Sequence, residues 1–164
     1  MNPYTPEEIE RINKVKDAND RLEVFFASKR EKWNDMLDPI FKVLTIDLNQ
    51  STSVKAILDS QSMVLSYRQV IGDEINLYLN KMSKEKIKIK KIKQDKFIFY
   101  ATGFGIKTNM GEKSILIEAH LSEFERCYEI IETYVQYLRD TSKNLESFSY
   151  SIKNLTELLN YLGK

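Results

Sequence analysis

A chain of 164 residues that is 42% apolar, 30% charged and 11% aromatic can bury a core and is too apolar to stay disordered. Its three prolines (Pro3, Pro6, Pro39) all fall in the first quarter, and the long proline-free remainder favours long helices over an all-β fold. The net charge of +1 excludes a global field that would announce a partner, and the single cysteine, Cys127, excludes an intrachain disulfide.

One unpaired thiol fits a reducing, intracellular setting. The polar, acidic start (Met1-Asn2-Pro3-Tyr4) is wrong for a signal peptide, so a cytoplasmic location is expected. No apolar run approaches the roughly 18 residues that span a bilayer.

Thr5-Pro6-Glu7-Glu8 combines a capping hydroxyl, a proline at the first helical position and two acids at the positive helix end. Ile9, Ile12, Val15 or Lys16, Asn19, Leu22 and Phe26 follow at helical spacings, predicting an amphipathic helix to about Trp33. Asp38-Pro39 should interrupt it, which sets residues 1–38 apart as an N-terminal arm from a domain at 39–164. Asp47–Ser53 reads as a loop. A second long helix is predicted from Val54 to about Tyr100, on the rhythm of Ile57, Met63 or Val64, Tyr67, Ile71, Ile75, Tyr78 or Leu79, and Met82. Gly103, Gly105 and the Thr108–Gly111 cluster mark turns, so residues near 97–118 are expected to form a short β-hairpin or a loop insertion.

The last third carries two heptad seams. Leu121, Phe124, Tyr128, Ile131, Val135 and Leu138 form one, and Leu145, Phe148, Ile152, Leu155, Leu159 and Leu162 the other. The polar stretch Arg139–Asn144 between them should break the helix or disturb its winding. Such seams need partners, from this chain or from copies of it, and self-association is the expectation. Leu121, Phe124, Tyr128, Ile131, Leu145, Phe148, Ile152, Leu155 and Leu159 are its candidate oligomerisation residues. The fold class expected is mainly α.

Catalytic constellations are lacking. His120 and Cys127, the only residues of their kinds, would lie about 10 Å apart along a helix, too far for a base and its nucleophile. No Cys/His cluster suits zinc, and Gly103-Phe104-Gly105 lacks the lysine and hydroxyl of a phosphate loop. Neither an enzymatic role nor a cofactor or metal is expected.

Residues 81–96 stand out: eight lysines (81, 84, 86, 88, 90, 91, 93 and 96) face only Glu85 and Asp95, a local charge of +6. Phe97, Phe99, Tyr100 and Phe104 follow. Ammonium groups beside aromatic faces suit a single-stranded nucleic acid, through phosphate contacts and base stacking. Candidate contacts are Lys84, Lys86, Lys88, Lys90, Lys91, Lys93, Lys96, Phe99 and Tyr100. A solvated lysine face on a structural or adaptor helical oligomer is the alternative. Apolar residues beside the lysines form no broad insertion face, so no membrane role is expected.

Three stretches carry a resemblance over about residues 40–164. They are Lys96-Phe97-Ile98-Phe99-Tyr100-Ala101-Thr102-Gly103 after the lysine-rich helix, Lys113-Ser114-Ile115-Leu116 opening the final helical region, and Tyr150-Ser151-Ile152-Lys153-Asn154 near the end. In order and spacing the chain resembles the UvsY recombination mediators of T4-like bacteriophages. Departures are Ser147-Phe148-Ser149 where that family tends to have an arginine, and Leu158 or Leu159 where it often has a tryptophan. The resemblance implies a non-enzymatic, ring-like homo-oligomer in a host bacterial cytoplasm. Such a protein binds single-stranded DNA, helps displace single-strand-binding protein and assists recombinase loading in DNA recombination and repair.

Overall fold

The structure, a computed structural model, describes residues 4–43, 54–102 and 109–162, without the side chains of Val54, Lys55, Leu159 and Leu162. It consists of three helices, α1 (Pro6–Lys42), α2 (Val54–Thr102) and α3 (Met110–Leu162). Of the described residues 97% are helical and none is in a strand. The hairpin expected near 97–118 is therefore corrected at both ends, because residues 97–102 close α2 and 110–118 open α3. The glycines at 103 and 105 lie outside the described residues.

Two of the helix starts are reciprocal caps. The Glu8 amide donates to Thr5 Oγ1 (3.2 Å) and the Thr5 amide to Glu8 Oε2 (3.0 Å). Asn109 and Glu112 repeat the exchange at α3, at 2.8 and 3.1 Å. Each exchange satisfies amides that a helix start leaves without partners. The expected break at Pro39 does not occur: α1 runs through it to Lys42. Proline removes one amide donor close to the helix end, while Leu37 and Ile40 on either side are 4% and 2% exposed. Burying such side chains contributes about 1.5–3 kcal/mol each, enough to offset most of the proline penalty of about 3 kcal/mol.

The chain divides into two compact units, one of Met1–Phe26 with Tyr78–Tyr134, the other of Ala27–Leu77 with Val135–Lys164. Each takes a segment from every helix, so residues 1–38 contribute to both units. In the first unit, Phe26 stacks on Tyr134 (centroids 4.3 Å, planes 16° apart), and Tyr78 meets both edge-on at 5.1 and 5.3 Å. Asn19, also buried, donates from Nδ2 to the Glu123 carbonyl (2.7 Å), fastening α1 to α3. Tyr100, Ile117 and Leu121 close a smaller cluster with Ile89, Ile92 and Leu116.

In the second unit, Trp33 meets Tyr67 edge-on at 6.0 Å and Phe41 meets Phe148 at 5.4 Å. Glu74 accepts from Lys29 and from the Trp33 indole (3.3 Å). Tyr137 donates to the Arg30 carbonyl (3.2 Å) and bonds Asn34 Oδ1 (2.9 Å).

Helix α3 does not break at Arg139–Asn144. The seams are core: Leu121, Phe124 and Ile131 are buried in the first unit, Leu145, Phe148 and Ile152 in the second, with Tyr128 and Leu155 half-buried. The six buried members find their partners among side chains of this chain, one of the two sources expected for the seams, so they are corrected from oligomerisation candidates to core residues. The Leu159 side chain lies outside what is described.

Candidate nucleic-acid interface

The lysine-rich segment lies on α2 within the first unit. Tyr78, Met82, Glu85, Ile89, Ile92, Lys96 and Tyr100, at intervals of three and four, form its inward face. Every other lysine of the segment (81, 84, 86, 88, 90, 91 and 93) is exposed. Helical spacing sorts these into two rows. Lys81, Lys84, Lys88 and Lys91 share one flank, and Lys86, Lys90 and Lys93 the other. The first row places four ammonium groups along about 15 Å of helix.

Two members of the strip carry acid partners. Lys88 pairs with Glu85 at 3.2 Å and also lies 5.5 Å from the Phe124 ring centroid. Lys96 pairs with Glu8, its side chain only 12% exposed. Lys96 is thereby withdrawn from the candidate contacts, because it occupies a core-facing position and its charge is spent on α1. Among the described residues no ion pair involves Lys81, Lys84, Lys86, Lys90, Lys91 or Lys93.

The aromatic candidates divide as well. Tyr100 is 3% exposed, packed on Ile117 and Leu121, so it offers no stacking face and is corrected to a core residue. Phe99 is 40% exposed, with the Lys96 ammonium 5.2 Å from its ring centroid. Phe97 is more open at 49%, and its position four residues beyond Lys93 continues the second row. Phe104 lies outside the described residues.

No family model, curated protein or solved structure matches this chain. Burial pushes the Cys127 thiol up, Glu85 adds to the rise and Lys88 opposes it, an environment unlike that of a reactive thiolate. Among the described residues no His, Cys, Asp or Glu group could hold a metal ion, and no helix is long and apolar enough to cross a membrane.

His120 sits beside the Lys96–Glu8 pair, its ring 5.5 Å from that of Tyr4 and its Nδ1 without a hydrogen-bond partner among the described residues. Burial lowers its pKa; the Lys96 ammonium adds to this, Glu8 opposes it and Arg11 reinforces it. The fold thus disfavours the charged imidazole, while the unfolded chain takes up its proton near pH 6.5. Stability from this site is present above that pH and lost as pH falls through it toward the lower folded value. The melting temperature should drop between pH 7.5 and 5.5, and His120→Phe should flatten that part of the profile; an unchanged slope in the variant would assign it elsewhere.

Proposed function

We propose that this protein is a non-enzymatic recombination mediator that binds single-stranded DNA as a homo-oligomer. In this role it assists loading of a recombinase onto DNA covered by single-strand-binding protein. One observation carries the binding: seven lysines project from a single helical segment, six of them outside any ion pair among the described residues. The mediator role and its protein partners are supported by the order and spacing of the motifs that resemble the UvsY family.

Ammonium groups at this density neutralise phosphates and release counterions, and several copies acting on one strand raise the effective concentration of each weak contact. Self-association belongs to the same proposal. With Leu121, Phe124, Ile131, Leu145, Phe148 and Ile152 of the seams buried inside the units, the apolar surface left for it includes Met63, Val70 and Leu77, seven residues apart on α2 and 49%, 48% and 51% exposed.

Binding to a single-stranded oligonucleotide should show a log–log salt slope of about −3 to −5 per chain, at roughly 0.7 for each of four to seven neutralised phosphates. Replacing all seven exposed lysines with Gln should abolish binding while helical content stays unchanged. Retained affinity in that variant would sink the assignment. A folded wild-type oligomer that binds no DNA at low salt would instead be a structural or adaptor protein.

A further inference from the structure

The two lysine rows differ in what stands opposite them. In the first unit α2 and α3 run antiparallel, since Tyr78 meets Tyr134 and Tyr100 packs on Ile117. On α3, Glu125, Glu129 and Glu132 recur at intervals of four and three, forming one exposed ridge. Together with Tyr128 they line a groove of about 380 Å³, whose other wall is Lys86 and Ile89 of α2. Lys90 and Lys93 continue the Lys86 row along α2, toward the α3 turns that precede Glu125 and carry Glu118. Among the described residues none of these four glutamates except Glu118, which accepts from Ser114, has a side-chain partner of its own.

We propose that the glutamate ridge makes the interface one-sided. Phosphates follow the Lys81–Lys84–Lys88–Lys91 row, and the carboxylates across the groove exclude them from the Lys86–Lys90–Lys93 row. The proposal rests on the nucleic-acid reading of the strip and adds which lysines serve it and which residues restrict it. A phosphate at the second row would face the carboxylates across the groove from Lys86 as well as the ammonium groups of the row, so repulsion opposes the attraction there. Along the first row, the one ion pair among the described residues is that of Lys88 with Glu85 at 3.2 Å. Direct ion pairing is not needed for this effect, because exposed charges within about 8–10 Å still act on one another at ordinary salt.

Three variants test this: Lys81→Ala/Lys84→Ala/Lys91→Ala, Lys86→Ala/Lys90→Ala/Lys93→Ala, and Glu125→Gln/Glu129→Gln/Glu132→Gln. Each is measured for affinity to a fluorescent single-stranded oligonucleotide at fixed low salt. The first should lose about tenfold or more and the second under about twofold, while the glutamine variant should bind about three- to tenfold tighter. Combining the second and third should expose the hidden row, with the three lysines now costing about tenfold. Equal losses from both rows in the wild-type background, or no gain from the glutamines, would overturn one-sidedness while leaving the strip as the binding surface. Loss of neither row having any effect would bring down the nucleic-acid reading itself.

Discussion

Replacing Phe26 with alanine is expected to be among the most destabilising substitutions in the first unit. Its ring is 2% exposed, stacked on Tyr134 and met edge-on by Tyr78, which are themselves 0% and 3% exposed. Removing it strips apolar area from the core and leaves two rings around a void, which costs about 3–5 kcal/mol for a Phe→Ala change. Lost ring–ring contact is part of that figure. Because whole-domain stability is typically about 5–15 kcal/mol, such a loss is a large share of it. Denaturant titration should show the midpoint fall with little change in slope, and the melting temperature should drop by roughly 6–20 °C for a chain of this size. Val24, two residues away and 71% exposed, is the control, and Val24→Ala should stay within about 0.5 kcal/mol. Similar losses at both positions would mean that the aromatic trio does not organise this core.

Much of the architecture is legible in the residues because helix formation here is announced twice, by rhythm and by caps. Thr5-Pro6-Glu7-Glu8 predicts the start of α1, and the helical rhythm from Ile57 to Met82 predicts α2. The misread places are those where a local rule met a distant contact. Pro39 is a helix breaker by itself, but the burial of Leu37 and Ile40 holds the turn around it.

The polar stretch at Arg139–Asn144 hides a link. Thr141 is 7% exposed and falls between Leu138 and Leu145, restoring the spacing of three and four that the apolar pattern lacks. Its hydroxyl donates to the Tyr137 carbonyl at 2.8 Å, so it can be buried without a distant partner. A pattern scored on apolar residues alone sees a gap there.

At the candidate interface, exposure of the lysines follows from their number, since one helix cannot bury eight. The exception was not visible locally. Lys96 shares the inward face with Met82, Ile89 and Ile92, and the acid that accepts its charge, Glu8, lies 88 residues earlier in the chain. Tyr100 belongs to the same face, which the spacing from Lys96 could have indicated. The glutamate ridge had no sequence signal as a neighbour of the lysines, because only the antiparallel packing of α2 and α3 brings Lys86 beside Glu129.

Leu145→Asp should unfold the second unit rather than release folded monomers. Leu145 is 0% exposed and neighbours Phe148 and Ile152 on the same buried face of α3, at 5% and 1%. Truncating such a leucine costs about 2–5 kcal/mol, and an unpaired carboxylate in its place adds a desolvation cost that brings the total above about 5 kcal/mol. Leu158→Asp sits on the same helix at a residue that is 53% exposed, and it should leave helical content intact. The pair separates two physical roles that a heptad pattern cannot distinguish. If the seam joins copies, Leu145→Asp gives smaller particles with full helicity by light scattering and circular dichroism. If it is this chain's own core, helicity and mass are lost together, because no rearrangement of subunits can return a buried charge to water while the three segments stay packed.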